Sequence, residues 1–472
     1  VQQQGFESQL NTKEMQPMGR WIRSKEDACV SRKTHHRSLG AVLTILIGTQ
    51  LYAGAISFVA SGKKVPPVWD IAGLKQTAVV SFPVEQAVLD MLNPQPPSGI
   101  QSFYINGIPY KGKETRLFCY YGIPSGVPPS GGWPGIVLVH GAGGTADALW
   151  VKWWNDQGYA AIAVDTAFRL PTASMWNLRE KTAFPGPVFP WGTDPAWKNP
   201  QASPEDHWLY HAVADVVLAH NFLRQQPEVA PGNIGIAGVS WGGIITSHVI
   251  GLDDRFLFAI PIYGCGFLHE SDGLQSTTFI PNPEWDPSVN LGNANLPVFW
   301  TAGATDKHFS PEDRFKSKTL SMGKNKEAPR WVNSYWFMLP VIQHSLGANY
   351  LDSVFPEKIN YVRFANAVVA ASKTPAPGNL NLLRWVKQEL TDTVAHLEYT
   401  AARPVTDATL FYTTDSGYWR ERQWQSTAVA VNKDMHVIIA AIPPAVTAYF
   451  LNVTEGSESS AYTISSDLFG AE

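Results

Sequence analysis

Charge is scarce in this chain of 472 residues: Asp, Glu, Lys and Arg together make up 16% of it, against ~25% in an average soluble protein. The formal net charge is −4, so the basic surplus that would attract nucleic acid is missing. Cysteine is scarcer still. Cys29, Cys119 and Cys265 are the full set, with no CxxC pair and no paired histidine ligands, which excludes a disulfide scaffold and a zinc finger. Internal repeats and low-complexity tracts are absent, so a repeat architecture is excluded. What remains is a chain 44% apolar, long enough for two or three domains and a sizeable core. Eighteen tryptophans ask for an explanation, either core packing or an aromatic-lined binding surface.

The one long uncharged run is Ala41 to Ala60, AVLTILIGTQLYAGAISFVA, and it follows Arg20, Arg23, Lys25, Arg32, Lys33 and Arg37. A basic stretch followed by an apolar one is the order of an export signal. Twenty uncharged residues also just suffice to span a bilayer, so an uncleaved anchor is the alternative. Thr44, Thr49, Gln50, Gly48 and Gly54 dilute the run, and Ala60, Ser61 and Gly62 supply small residues near its end, which favours cleavage. Residues ahead of Met18 read as non-native or upstream-translated sequence. The expectation is a secreted or periplasmic protein, with membrane attachment only through an uncleaved N-terminal segment.

Residues 1–62 therefore form an N-terminal extension, and 63–100, where prolines interrupt short apolar runs, an irregular lead-in. Residues 101–373 carry an α/β pattern. SFYING and TRLFCYYGIP flank a polar turn and read as an antiparallel hairpin. Apolar strands follow at Gly135 to His140, Ala160 to Val164, Ile234 to Val239, Phe256 to Tyr263, Leu296 to Ala302 and Trp331 to Leu339, with helices at Asp206 to Arg224 and Pro356 to Ala371. A third helix opens at Ser310, with Pro311 at its first position and an acid three residues after the cap. Continuous apolar strands alternating with helices predict a buried, mostly parallel sheet with helices on both faces. Residues 374–472 start as a Pro-rich linker and continue as short alternating runs such as AHLEYTA and DATLFYTT, the pattern of a small Ig-like β-sandwich.

The sharpest chemical feature is Gly238-Val239-Ser240-Trp241-Gly242-Gly243, at the end of an apolar strand and the start of a helix. In that setting G-x-S-x-G is a nucleophile elbow: Gly238 and Gly242 make room for a tight turn that lifts Ser240 to the carboxyl edge of the sheet. A serine hydroxyl needs a histidine base, and the base needs an acid to orient it. With chain order serine, acid, histidine, His344 in the loop after the last apolar strand is the expected base, and His308 the rival. His248 sits on the elbow helix, and His396 and His436 fall in the sandwich. Asp306, after the preceding strand, is the expected acid. Asp253 and Asp254 lie at the opposite edge and read as solvated turn residues.

The oxyanion of an acyl intermediate needs backbone donors, one from Trp241 and one from Ala142 or Gly143 in His140-Gly141-Ala142-Gly143-Gly144. That cluster lacks the spacing of a dinucleotide loop, and neither a cofactor nor a metal is expected. Cys265, Tyr263 and His140 are candidates to line the substrate pocket, although a packing role suits the thiol better. The long segment Pro171 to Pro200 holds Trp176, Phe184, Phe189, Trp191 and Trp197 and suits a lid over the site.

The strings GIVLVHGAGGTADALWVKWWNDQGYAAIAVD, GIAGVSWGGIITSHVIGLDDRF and IPIYGCGF resemble the dienelactone-hydrolase-like branch of the α/β-hydrolase superfamily, in particular its secreted acetylxylan-esterase-related members with a C-terminal β-sandwich. The resemblance runs from about Gln101 to the C-terminus. It implies Ser240, Asp306 and His344 as a triad and an acyl ester of a carbohydrate or other small molecule as substrate. True dienelactone hydrolases use a cysteine nucleophile, so their ring-opening chemistry does not carry over to Ser240. A prolyl-oligopeptidase-type peptidase shares the elbow, but the residues ahead of the core are too few for its propeller. A non-catalytic carbohydrate-binding protein is the remaining alternative.

Overall fold

Strands buried on both faces can be apolar at every position, and Ala160–Val164 and Phe258–Ile262 near the centre of this protein are. The computed structural model describes residues 69–171, 202–322, 334–340, 344, 358–373 and 380–471. The central sheet is built from β1 (Ser81–Pro83), β2 (Gln101–Asn106), β3 (Arg116–Gly122), β4 (Trp133–Val139), β5 (Ala160–Val164), β6 (Val229–Val239), β7 (Phe258–Ile262), β8 (Val298–Gly303) and β9 (Ser334–Leu339). Its strand order is β1-β2-β3-β5-β4-β6-β7-β8-β9. The first four in that order pair antiparallel and the rest parallel.

The helices are α1 (Ile71–Gln76), α2 (Gln86–Met91), α3 (Ala148–Asp156), α4 (Trp208–Gln225), α5 (Trp241–Val249), α6 (Ser276–Phe279), α7 (Ser288–Leu291), α8 (Pro311–Ser321) and α9 (Lys358–Ala371). From β4 the chain steps outward to β5, then crosses back over β4 to β6 and continues to β9. The order therefore reverses between β4 and β6, and the crevice at the carboxyl ends of those two strands is where open α/β sheets bind ligands.

The segment expected to be irregular is more ordered than its prolines suggest. It forms α1, β1 and α2, and β1 extends the sheet by pairing Phe82 with Tyr104. Helix α1 is capped by Asp70, whose side chain accepts from the Gly73 N–H at 2.9 Å. Three-residue strands and six-residue helices are too short to show a period, which is why tertiary pairing alone reveals them.

Beyond the linker, two four-stranded antiparallel sheets face each other. One runs β10-β11-β15-β14 (Arg384–Leu390, Val394–Thr400, Val437–Ala441, Val431–Asn432) and the other β13-β12-β16-β17 (Gln425–Ala428, Val405–Thr413, Ala448–Glu455, Tyr462–Ser465). Ala395, Leu397 and Tyr399 alternate inward along β11, as one buried face requires. Strand β16 breaks the alternation, because nearly all of it is buried. Its second face is covered by the hydrolase sheet, where Asn452 reaches β9. The sandwich thus closes what would otherwise be an open sheet edge.

Candidate active site

The elbow between β6 and α5 is a steric construction. Ser240 has φ 56° and ψ −116°, a conformation that a non-glycine residue adopts only when its surroundings enforce it. Its N–H donates to Ile262 O at 2.8 Å. A Cβ on Gly242 would lie 2.1 Å from Val139 O, and one on Gly238 would lie 2.1 Å from Gly242 O. Both glycines are therefore required by close backbone approach, and the start of α5 rests directly on the end of β4.

The three residues singled out for chemistry meet at this edge in one hydrogen-bonded line. His344 Nε2 stands 3.0 Å from Ser240 Oγ, and His344 Nδ1 stands 3.0 Å from Asp306 Oδ2. A carboxylate only accepts, so the Nδ1 proton points at Asp306 and the Nε2 lone pair faces the serine hydroxyl. Ser240 and Asp306 are buried, and the His344 side chain is partly exposed. His308, the rival base, is not bonded to Ser240 among the described residues. Its ring centroid lies 4.5 Å from that of His344, its Nδ1 pairs with Gln275 Nε2 at 3.1 Å, and its N–H donates to Asp306 Oδ1 at 2.8 Å. Burial, then the neighbouring His344, pushes its pKa down.

Asp306 is held by a residue that the motifs do not reveal. Burial alone would raise its carboxyl, but Arg314 on α8, followed by His344 and the His308 N–H, outweighs that and holds it below the usual carboxylate range. Arg314 is fully buried. Its Nη2 donates to Asp306 Oδ2 and to Phe309 O at 2.8 Å, its Nη1 to Gly303 O at 3.1 Å, and its Nε to Tyr263 O at 2.9 Å. The helix that carries it starts as its sequence predicts, with both arms of a Ser310–Asp313 capping box formed. In the sequence Arg314 is only an arginine one turn into a polar, capped helix.

The β4 loop lies beside the elbow. The Gly144 N–H donates to Gly141 O at 3.1 Å, and Gly143 lies at φ 72°. His140 is buried. Its Nδ1–H donates to Gly141 O at 2.7 Å, and its Nε2 accepts from the Thr166 N–H at 3.0 Å. These two bonds tie the loop after β4 to the loop after β5. Cys265 is fully buried, in keeping with the packing role that suits the thiol, and burial raises its thiol pKa well above the ordinary value. Tyr263 keeps a place next to the site, its buried ring meeting that of His344 edge-on at 5.7 Å. The Trp241 side chain packs into the core against Trp208 and Phe279, so only its backbone is available to a substrate. Trp176, Phe184, Phe189, Trp191 and Trp197 lie outside the described residues.

Asp253 also differs from expectation. It is buried, accepting from Arg255 Nη2 at 2.7 Å and paired with His220 Nδ1 at 3.0 Å, whereas Asp254 is exposed and pairs with Lys75. Both remain at the edge opposite Ser240. Among the described residues no group of His, Cys, Asp or Glu could hold a metal ion.

Residues 119–335, which include Ser240 and Asp306, match the model of the dienelactone hydrolase family. The core of this chain is dienelactone-hydrolase-like. Solved structures similar to it include an acetyl xylan esterase from a Paenibacillus species, at 16% identity over 63% of this chain and 92% of that one with a TM-score of 0.46. An acetyl xylan esterase from a Thermoanaerobacterium species aligns at 12% identity over 60% of this chain and 96% of that one, TM-score 0.41. The acylaminoacyl peptidase of Pyrococcus horikoshii aligns at 16% identity over 52% of this chain and 37% of that one, TM-score 0.38. No curated protein matches significantly. Within the matched stretch the elbow position is occupied by serine, Ser240.

Proposed function

We propose that this protein is a serine esterase that cleaves acetyl or other small acyl esters, with acylated carbohydrates as the substrate class. The observation that carries this reading is the continuous line from Ser240 Oγ through His344 to Asp306, with 3.0 Å at each step. Ser240 Oγ attacks the ester carbonyl while His344 Nε2 takes its proton, and Asp306 stabilises the imidazolium that forms. The carbonyl oxygen becomes an oxyanion, held by the Trp241 N–H and by an N–H of Ala142 or Gly143. Collapse expels the alcohol, which receives the proton from His344 and leaves an acyl-Ser240 ester. Water then attacks that ester by the same route and releases the acid.

The same triad could serve an amide, so the ester assignment rests on the resemblance to acetylxylan-esterase-related proteins and is decided by the substrate comparison below. The basic and apolar order of residues 1–60 supports export as part of the same reading, which would bring the enzyme to extracellular polysaccharide. No helix among the described residues is long and apolar enough to cross a membrane, and residues 41–60 lie outside them.

The test is labelling with a fluorophosphonate together with turnover of p-nitrophenyl acetate. Wild-type protein should label once per chain, and Ser240→Ala and His344→Ala should each lose ~10⁴-fold or more in kcat. Unlabelled wild-type protein, or unchanged turnover by Ser240→Ala, rejects the mechanism. Acetate release from acetylated xylan, compared with release from aryl acetates, then decides the substrate class.

A further inference from the structure

The β-sandwich bonds directly to the backbone of the last strand of the central sheet near its carboxyl end, at Met338. Strand β9 is the last of the central sheet, and in register with β8 it sets Met338 beside Ala302 and Leu339 beside Gly303. The Met338 N–H donates to Ser465 Oγ at 2.8 Å, and Met338 O accepts from Asn452 Nδ2 at 3.0 Å. Ser465 Oγ in turn donates to Asn452 Oδ1 at 2.5 Å, so the two side chains close a buried ring on the backbone N–H and C=O of one residue. Trp336 Nε1, two residues earlier, donates to Ser466 O at 2.7 Å. Asn452, Ser465, Ser466, Trp336 and Met338 are all buried.

Two chain segments leave the sheet just past this clamp. Leu339 O accepts the Ala304 N–H at 2.8 Å, two residues before Asp306, and His344 follows Leu339 by five residues. His344 itself has φ 52°, so its conformation depends on restraint from its surroundings. Buried backbone groups on an edge strand need partners, and a helix or loop could have supplied them at any point along β9. Here they come from side chains at the end nearest the chemistry, where a shift of ~1 Å can cost ~100-fold in rate.

We propose that Asn452 and Ser465 are positioning residues for catalysis: by clamping Met338 they fix the level from which Asp306 and His344 are presented to Ser240. The inference rests on the esterase reading above and assigns the sandwich a role in the reaction. Asn452→Leu, Ser465→Ala and the conservative Ser465→Thr should be compared with wild type for kcat and KM on p-nitrophenyl acetate, fluorophosphonate labelling rate, pH profile and Tm. The expected result is a drop of ~10-fold or more in kcat and labelling rate for the first two, with KM within about twofold. A looser hold on the imidazolium also moves the acid limb of kcat/KM to lower pH, and Ser465→Thr, which keeps a hydroxyl, recovers most of the rate. If Asn452→Leu fails to fold, Ser465→Ala decides alone. Variants that melt earlier but, while folded, keep the wild-type kcat and pH profile overturn the inference. Wild-type protein that neither labels nor turns over the ester overturns the hydrolase reading and the inference with it.

Discussion

Arg314 shows what one buried side chain can do for another. Its guanidinium closes on the oxygen of Asp306 that also faces His344, and it satisfies three backbone carbonyls with its remaining donors. Removing one partner of a buried ion pair leaves the other charge uncompensated, at a typical cost of ~3–5 kcal/mol. Arg314→Met should therefore lower Tm and also reduce kcat by ~100-fold or more, because Asp306 becomes harder to ionise and the imidazolium loses support. Arg314→Lys should recover charge but not the fork of donors, and should fall between the two. Thermal melts and esterase kinetics on the three proteins check this, and a Met variant with wild-type kcat would show that Asp306 does not depend on it. The nucleophile, base and acid candidates were legible as residue types in chain order. Arg314 was not, because an arginine in an otherwise polar helix reads as a solvated charge until its burial is known.

At the scale of elements, the strand-turn-helix at Ser240 is where local sequence and tertiary packing agree. Gly242 is required by a neighbour far away in sequence, Val139 O, which a Cβ would meet at 2.1 Å. Gly242→Ala must push α5 off the end of β4, and with it the Trp241 N–H proposed above as an oxyanion donor. The expected outcome is a loss of ~100-fold in kcat, the size of removing one oxyanion donor, with destabilisation of ~1–3 kcal/mol from overpacking. Gly232, with open space at its Cβ position, should tolerate alanine and serves as the control in the same assays. Longer strands, including β5 at Ala160–Val164, and the capping box of α8 follow from apolar runs and cap chemistry. The short β1 and the pairing that holds it do not, because their partners come from distant parts of the chain.

Across the whole molecule, buried ionisable groups pull stability in opposite directions with pH. His220 and His248 are pushed down to about 4, chiefly by burial. Each contributes stability that is present above the unfolded value near 6.5 and is lost as pH falls toward 4. Asp215 is pushed well above its ordinary range by burial and then by Asp165, and Asp313 is pushed up to about 7 mainly by burial. Their contribution is present below the unfolded carboxylate value and is lost as pH rises toward the folded one. Both Asp215 oxygens are buried without a hydrogen-bond partner among the described residues. Asp215→Asn removes the cost of keeping that group protonated, worth ~1.4 kcal/mol per pH unit above ~4. Urea unfolding should find the advantage of the variant over wild type larger at pH 8 than at pH 5 and vanishing near pH 4. Equal shifts at both pH values would show that Asp215 is ionised in the folded protein.

By itself the sequence determined the kind of fold and the candidates for nucleophile, acid and base, because apolar periodicity, glycine spacing and chain order are local or ordinal properties. Only the tertiary structure decided that His344 and not His308 faces Ser240, that His140 ties two loops together, and that Arg314 and the Asn452–Ser465 clamp stand behind the site. Those outcomes depend on burial and on contacts between residues up to 127 positions apart, and the free energy of a buried polar group is set by partners that its own neighbourhood in the chain does not contain.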